Sequence, residues 1–370
     1  MIINILTGHF YPQLHPRAFR ASELAIELAK RGHKVVVTNL TTVEGADYDI
    51  YTNKTGVEVR NLGLYHLKKN ALENVSNSWL YHKIRFCIEY FLAGNLFKQS
   101  KRIAETINID NDTDAVISLS TPFMDILAIS KYINKHGKRF VTIADSGDPF
   151  YYSKQIKKAP WFRWVERNAY KSYDYLTIPT ENAIPLYSPL IDEKKIRIVP
   201  QGFRMDNLNL YQGRFEGPIR MAYAGVFYWD IRNPEFLFSY LNGLHADFEL
   251  YLFMRNRDAL VDELLEKYPS VKNRVFIKSL PHDELIYELS RMHFLINIEN
   301  ISNTQMPSKL IDYGMTGRPI FSCNSANFSP KKFDSFFKGD YSGAYEIDIQ
   351  KYNIVNIANQ FEKLIKEVLK

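Results

Sequence analysis

The sequence MPSKLIDYGMTGRPI at residues 306–320 reveals most about how this chain folds. It follows the apolar run FLINI at residues 294–298, which predicts a buried strand. Pro307 and Ser308 favour the first turn of a helix, where backbone N–H groups have no intrahelical partners. Gly317 ends that helix, and a new apolar run follows. The stretch therefore predicts a strand, a helix and a second strand, as in a parallel α/β sheet.

Two charged side chains near the start of this predicted helix indicate a ligand site. Lys309 lies in the first turn, and Asp312 follows about one turn later. Because a helix N-terminus attracts anions, this arrangement is typical of a site for a diphosphate and a ribose. The alternative is an ordinary strand-to-helix turn that binds nothing. Features elsewhere in the chain distinguish these two interpretations.

The composition indicates a two-domain protein of a reducing compartment. The chain has 370 residues, of which 46% are apolar, and this is enough for two cores. Its two cysteines, Cys87 and Cys323, show neither disulfide nor metal-ligand spacing. The opening residues do not resemble a signal peptide, and no apolar window is long enough to span a bilayer. We therefore expect a cytoplasmic protein that is either soluble or peripheral on the inner face of the cell membrane.

The net charge of +6 can serve nucleic acid, an anionic membrane surface or a phosphorylated ligand. The sequence has no zinc finger, RNP-type strand or repeated basic helix, so we expect no nucleic-acid partner. Residues 64–69 with 79–86, and residues 154–164, interleave lysine and arginine with large aromatic side chains. This composition predicts attachment to an anionic membrane surface. The alternative is that these stretches pack on the domain surface with solvated lysines.

Apolar strand-like runs alternate with amphipathic helices in two successive series along the chain. This pattern predicts an α/β protein with two parallel sheets, whose ligands lie at the carboxyl ends of the strands. We expect an N-terminal domain at residues 1–200, a linker at 201–218, a C-terminal domain at 219–350 and a final helix at 351–370. The apolar residues of that last helix recur at helical spacing, so it must dock on another element.

Polar residues after the predicted strands of the N-terminal domain are candidates for binding an acceptor. His9 and His15 lie in the loop after the first strand, and Arg17 follows at the next helix. That loop lacks the G-x-G-x-x-G pattern of dinucleotide sites. Asp145 and Asp148 follow a later strand, where carboxylates can position a hydroxyl or accept its proton. The alternatives are loop packing or solvent exposure for the histidines and a plain turn for the aspartates.

The C-terminal domain contains two further candidates, Gly225 and Arg232. The first strand of this domain ends near Gly225, where backbone can approach a ligand closely. Arg232 follows near the next helix start and suits bidentate contact with a phosphate, so that with Lys309 it would supply two cations for one diphosphate. The alternative for Arg232 is a surface salt bridge. The acidic run at 110–114 precedes a strand rather than following one, and we therefore predict that it forms a turn. We expect no metal site.

Seven motifs carry a resemblance through their order and spacing. They are FYP at 10–12, RASELA at 20–25, RGHKV at 31–35, DSGDP at 145–149, VPQGF at 199–203, SLPHDEL at 279–285 and PSKLIDY at 307–313. Together they resemble the GT-B glycosyltransferases of family 4, which are retaining nucleotide-sugar enzymes and include many bacterial polysaccharide transferases. The likeness covers nearly the whole chain. It implies two Rossmann-like domains that face a cleft, with the C-terminal helix crossing back to the N-terminal domain.

The resemblance also implies roles for particular residues. The donor would be bound by Gly225, Arg232, Leu280, Thr304, Ser308, Lys309 and Asp312. The acceptor would be bound by His9, His15, Arg17 and Asp145. The catalytic residues would be Asp148, Arg232 and Lys309. Apart from the nucleotide-sugar co-substrate, the resemblance implies neither a cofactor nor a metal.

The chain departs from the family at one position. The family often carries two glutamates eight positions apart in this region. The second corresponds to Asp312, which would hold the ribose hydroxyls, and the first corresponds to Thr304, which would face the donor sugar. Glu299 lies five positions before Thr304. We therefore expect the loop at 300–305 to approach the sugar without a carboxylate at the usual place.

The activity implied is transfer of a sugar from a nucleoside-diphosphate donor to a glycan, lipid-linked or free. The pathway would be synthesis of a capsule, an O-antigen or an exopolysaccharide. Arg232, Lys309 and the helix N-terminus would stabilise the leaving diphosphate without a metal, while the sugar becomes oxocarbenium-like. Two alternatives stay open. One is a GT-B-like subunit that binds a nucleotide or glycan without turnover, and the other is a sugar-nucleotide epimerase.

Overall fold

The chain forms two compact α/β units, each built on one parallel sheet. Unit 1 comprises Met1–Arg204 and Lys351–Lys370, and unit 2 comprises Met205–Gln350. The computed structural model describes residues 1–13, 15–66, 79–120, 122–153, 157–206, 208–229, 232–254, 259–299 and 308–370. Within these ranges, no helix is both long and apolar enough to cross a bilayer.

Unit 1 contains a seven-stranded sheet. Its strands are β1 (Ile2–Thr7), β2 (Lys34–Thr42), β3 (Glu58–His66), β4 (Ala115–Ser120), β5 (Val141–Ser146), β6 (Tyr175–Ile178) and β7 (Ile196–Ile198), in the order β3-β2-β1-β4-β5-β6-β7. Its helices before unit 2 are α1 (Pro16–Lys30), α2 (Tyr48–Thr55), α3 (Trp79–Leu92), α4 (Leu96–Thr106), α5 (Met124–His136), α6 (Trp161–Tyr170) and α7 (Ile184–Tyr187). The inner strands β4 and β5 are buried along their whole length.

Unit 2 contains a five-stranded sheet. Its strands are β8 (Ile219–Ala224), β9 (Phe248–Phe253), β10 (Val275–Lys278), β11 (Phe294–Ile298) and β12 (Ile320–Cys323), in the order β10-β9-β8-β11-β12. Its helices are α8 (Glu235–Asn242), α9 (Ala259–Lys267), α10 (Pro269–Lys272), α11 (His282–Ser290), α12 (Ser308–Thr316) and α13 (Pro330–Phe337). The strand, helix and strand predicted around residues 306–320 are therefore present as β11, α12 and β12.

Strand β3 does not have the apolar run by which the sequence predicts the other strands. It lies at the edge of its sheet and includes Arg60, Asn61 and Gly63, so it lacks the continuous apolar run of the inner strands. Residues 64–66, the start of one stretch expected at a membrane, belong to this strand. The rest of that stretch, 67–69, lies outside the described residues.

The last helix, α14 (Ile354–Leu369), returns to unit 1, as the sequence predicts. Ile357, Phe361 and Ile365 lie one turn apart on its apolar side and are fully buried in the cluster that contains Ile3 and Ile5 of β1. These contacts make α14 part of the core of unit 1, so the fold class expected from the sequence is confirmed.

Replacing Phe361 tests this docking. Phe361→Ala removes a fully buried ring from the core cluster that α14 shares with the rest of unit 1, and we expect it to lower the free energy of unfolding by about 3–5 kcal/mol. Lys363→Ala is the control, because the Lys363 side chain is 77% exposed on the same helix, and it should change stability by less than about 0.5 kcal/mol. Urea unfolding followed by circular dichroism gives both values. Equal midpoints for the two variants would contradict the described docking.

Candidate functional site

The two central strands of unit 2 define where a ligand is expected. From β8 the chain runs outward to β9 and β10 and then returns to place β11 on the other side of β8. The connections thus leave β8 and β11 in opposite directions. In open parallel sheets ligands bind outside the carboxyl ends of the strands at this reversal.

Lys309 extends from the first turn of α12 toward these strand ends. Its Nζ donates to the carbonyl of Ile298, the last residue of β11, at 3.3 Å. The same atom lies 4.3 Å from the ring centroid of Tyr223 in β8. Lys309 is only 8% exposed. Burial, with a further contribution from nearby Arg232, lowers the pKa of Lys309 to about 6.

Arg232 contacts the same tyrosine. Its Nη1 donates to the Tyr223 hydroxyl and to the carbonyl of Val226, each at 3.3 Å. Tyr223 in turn donates to the Val226 carbonyl at 3.0 Å, and burial raises the pKa of Tyr223 to about 12. The two cations expected from the sequence are therefore held on the ring and the hydroxyl of one buried tyrosine. Sequence reasoning gave Tyr223 no role, although it stands two residues before Gly225.

Gly225 opens the backbone at the end of β8. Its φ of +134° lies in the region that favours glycine, and its N–H donates to the carbonyl of Phe253 at 2.9 Å. A Cβ at this position would lie 3.3 Å from the hydroxyl of Tyr223. A side chain here would therefore strain the turn and crowd the tyrosine.

Asp312 lies on α12, one turn beyond Lys309. Its Oδ1 is 3.0 Å from Nε2 of His282 at the start of α11. The next residue, Tyr313, is fully buried and accepts a hydrogen bond from the backbone N–H of Ala224 at 2.7 Å. This contact fixes α12 against the end of β8. Leu280 packs partly buried against the cluster that contains Tyr313.

Two further donor candidates are Ser308 and Thr304. Ser308 begins α12. Thr304, together with the loop at 300–307, lies outside the described residues. Among the described residues, no three His, Cys, Asp or Glu side chains are grouped so that they could hold a metal ion.

A cavity of about 520 Å³ adjoins Arg232 in unit 2. Its wall includes Trp229, Asn233, Phe236, Tyr268, Glu299 and Asn324. Glu299 is held in place because it accepts hydrogen bonds from Ser322 Oγ at 2.8 Å and from Asn324 Nδ2 at 3.2 Å. Aromatic faces, an arginine and a fixed carboxylate suit a polar ring such as a sugar. The resemblance pointed to Thr304 for this role and left Glu299 aside.

In unit 1 the structure brings Arg17 and Asp145 together. Asp145 Oδ2 accepts from Arg17 at 2.6 Å, and Asp145 also forms two hydrogen bonds with Arg20, at 2.5 and 2.7 Å. Thr177 donates to Oδ1 at 2.6 Å. Burial opposes ionisation, but Arg20 and Arg17 outweigh it and hold the pKa of Asp145 below its usual range. Although arginine is usually exposed, Arg20 is buried because it reaches Asp145 at the end of β5.

The two predicted histidines form a pair beside this cluster. The His9 and His15 rings stack with centroids 4.1 Å apart. His9 Nδ1 is 2.8 Å from Gln13 Oε1, and His15 Nδ1 accepts from the Arg17 N–H at the start of α1. Burial first, and then His9 and Arg17, lower the pKa of His15. The loop after β1 therefore presents stacked imidazoles, one of which caps α1.

Asp148 is exposed in the loop after β5. Buried Glu166 holds the next part of that loop, since it accepts from the N–H groups of Phe150 and Tyr151 at 3.2 and 2.8 Å. Burial raises the pKa of Glu166 to about 7.

Between β1 and β4 the structure adds a carboxyl group that sequence reasoning missed. Asp125 in α5 is fully buried, and its Oδ2 accepts from the Gly8 N–H at 2.7 Å. Burial raises the pKa of Asp125 well above its usual range. Asp125 is the second residue of α5 and precedes the apolar run ILAI at residues 126–129, and its sequence context gave no signal.

No protein-family model and no curated protein sequence matches the chain. Solved structures do match over nearly its full length. A glycosyltransferase from Rickettsia africae ESF-5 is 15% identical, with a TM-score of 0.64 and coverage of 100% of this chain and 98% of that one. The lipopolysaccharide outer core galactosyltransferase WaaB is 14% identical (TM-score 0.57; 99% of both chains). Anabaena HepE, solved in complex with UDP, is 11% identical (TM-score 0.59; 99% of this chain and 100% of that one).

These structures define the class of fold. The chain has the α/β architecture of GT-B glycosyltransferases, with two Rossmann-like domains, and the resemblance found in the sequence is confirmed at the level of the fold.

The buried lysine gives a prediction about stability. The unfolded chain keeps the Lys309 proton up to the ordinary pKa of 10.5, whereas the folded chain releases it above about 6. Wild-type stability should therefore rise with pH across this window. Lys309→Met should be more stable than wild type at pH 6.5, and this advantage should shrink by about 1 kcal/mol per pH unit toward pH 8.5. Urea unfolding at the two pH values measures the change, and an advantage independent of pH would contradict the buried position.

Proposed function

We propose that the protein is a glycosyltransferase that moves a sugar from a nucleoside-diphosphate donor to a glycan acceptor. The observation that carries this proposal is the placement of Lys309 and Arg232 on Tyr223 at the strand reversal of unit 2. Two cations at this point match a ligand with two adjacent phosphates. The names of the similar structures support the activity, since all three are glycosyltransferases or were solved with UDP.

The electrostatics of the pair favour an anionic ligand. Burial of Lys309 beside Arg232 disfavours its charged form, as the lowered pKa shows. A diphosphate would reverse this effect because it places negative charge between the two cations. The start of α12 would add its backbone N–H groups to the same phosphates. Binding should therefore be accompanied by protonation of Lys309.

The rest of the nucleotide would follow α12. Asp312, one turn beyond Lys309 and next to His282, would accept hydrogen bonds from the ribose hydroxyls. Leu280 would border the base. HepE was solved with UDP, so UDP is the first nucleotide to test.

The donor sugar would occupy the cavity beside Arg232. Glu299 would accept hydrogen bonds from sugar hydroxyls in place of the glutamate that Thr304 replaces, and Trp229 would contact the ring. Ser322 and Asn324 already orient the Glu299 carboxylate, so this side chain would lose little conformational entropy when a sugar binds.

The chemistry we propose is metal-independent transfer with retention. As the bond to the sugar breaks, negative charge grows on the leaving diphosphate, and Lys309 and Arg232 stabilise it. The sugar becomes oxocarbenium-like, and the acceptor hydroxyl attacks on the leaving-group face. Asp148 would accept the proton of that hydroxyl. We propose a lipid-linked glycan of a surface polysaccharide as acceptor, with support from the lipopolysaccharide substrate in the name of WaaB.

Removing either cation tests the donor site. Lys309→Ala and Arg232→Ala should each weaken UDP binding by about 1.5–3 kcal/mol, because a charge-assisted contact is lost. The kcat/KM for turnover of a UDP-sugar should fall by about two orders of magnitude, since the lost charge matters most in the transition state. Calorimetry gives the affinity, and release of UDP gives the rate.

Lys272→Ala, in α10 and exposed, is the matched control and should behave as wild type. If both cation variants bind UDP and turn over the donor as wild type does, the nucleotide does not bind in unit 2. The same assay in excess EDTA tests metal independence, and activity restored only by Mg²⁺ or Mn²⁺ would refute it. Formation of an isomeric UDP-sugar without transfer would identify an epimerase instead.

Glu299→Gln separates sugar recognition from nucleotide binding. The amide keeps the size of the side chain but weakens its hydrogen bonds with sugar hydroxyls. We expect UDP affinity to stay within about twofold of wild type and kcat/KM for the UDP-sugar to fall at least about tenfold. Asn327→Ala, which removes a weaker contact to Glu299 at 3.3 Å, should have a smaller effect. Unchanged turnover in Glu299→Gln would exclude the cavity as the sugar site.

A further inference from the structure

Helix α3 of unit 1 exposes an apolar stripe. Ile84, Ile88, Phe91 and Leu92 are between 43% and 54% exposed. Their spacing of four, seven and eight residues from Ile84 places them along one side of the helix. Large aliphatic and aromatic side chains grouped in this way on a protein surface mark an interaction site.

The opposite side of α3 attaches the helix to unit 1. Tyr90 is partly buried and packs against the main core cluster of the unit. Its carbonyl accepts a hydrogen bond from the Ala159 N–H at 2.9 Å. The apolar stripe is therefore turned away from the core by the same contacts that hold the helix.

Helix α6 continues the stripe. Phe91 stacks on Trp161 with ring centroids 5.5 Å apart, and Trp164 follows three residues later with 69% of its surface exposed. Between them Phe162 is fully buried and anchors the helix. We give the name aromatic face to six of the exposed apolar residues on the two helices: Ile84, Ile88, Phe91, Leu92, Trp161 and Trp164.

The charges around the aromatic face are mainly positive. Lys83 and Arg85 flank the stripe on α3, and Arg163 and Arg167 are exposed on α6. The two acidic residues of these helices are both engaged. Glu89 pairs with Lys158 at 3.4 Å, and Glu166 is buried beneath the loop after β5.

We propose that the aromatic face binds the surface of an anionic lipid bilayer. Tryptophan rings are most stable at the level of the headgroups, aliphatic side chains enter the acyl boundary, and flanking lysine and arginine reach lipid phosphates. The face combines all three features in one continuous surface. A purely apolar protein partner would leave the flanking cations without a counter-charge, whereas an anionic bilayer supplies one.

Vesicle flotation tests the proposal with the full chain. The vesicles contain phosphatidylcholine and phosphatidylglycerol at about 70:30, with pure phosphatidylcholine as the comparison. We expect binding to the mixed vesicles, weaker binding in about 0.5 M NaCl, and little binding to the neutral ones. Ile88→Glu should lower the bound fraction at least about tenfold, because it places a carboxylate at the centre of the stripe.

Ile50→Glu is the matched control. Ile50 is 64% exposed on α2 of the same unit but lies outside the aromatic face, so this variant should float as wild type does. Trp164→Ala should also reduce binding. Because it only shortens a side chain that is already exposed, it tests the proposal even if Ile88→Glu misfolds. UDP affinity, measured without vesicles, should be the same in all variants, which separates this proposal from the donor site in unit 2.

Three outcomes would overturn the proposal. One is equal binding to neutral and anionic vesicles. Another is wild-type flotation of both Ile88→Glu and Trp164→Ala. The third is no vesicle binding together with a wild-type dimer that Ile88→Glu converts to a monomer in sedimentation velocity, which would assign the aromatic face to a second copy of this chain.

Discussion

All strand pairings in both sheets are parallel. In each unit the carboxyl ends of the strands, and the first turns of the helices that follow, therefore gather at one edge of the sheet. This constraint brings Lys309 to the ends of β8 and β11, although the sequence places it 86 positions from Tyr223. It also brings Arg17 to Asp145, 128 positions away. In each unit the candidate site residues meet at one edge of the sheet because the strands point the same way.

The two edges differ in how their charges are balanced. In unit 1, Asp145 forms ion pairs with Arg17 and Arg20, so this carboxylate has its counter-charge within the protein. In unit 2, Lys309 and Arg232 share a tyrosine, and burial disfavours the charge on the lysine. The first arrangement holds a structure in place, whereas the second gains stability when an anion arrives. This contrast explains why two edges of similar topology suggest different roles.

Much of the fold could be predicted because strand and helix periodicity is a local property. The elements β11, α12 and β12 follow directly from apolar runs, a proline and a glycine, and the stripe of α14 predicted a docked helix. The edge strand β3 was missed because a strand with one covered side needs no apolar run. For the site, the two cations of unit 2 were found from their place after strands. Tyr223, the buried Arg20 and the anchoring of Glu299 depend on which side chains meet across the sheet, and sequence spacing does not encode that.

Because α14 packs on unit 1, the two units can complete their cores in a defined order during synthesis. Unit 2 lies between two parts of unit 1 in the chain, and its core uses residues from 205 to 350 alone. The core around Ile3 and Ile5 stays open on one side until Ile357 and Phe361 have left the ribosome. Unit 2 can therefore complete its core before unit 1 does. Until α14 is synthesised, an apolar surface of the unit 1 sheet stays uncovered and is open to aggregation.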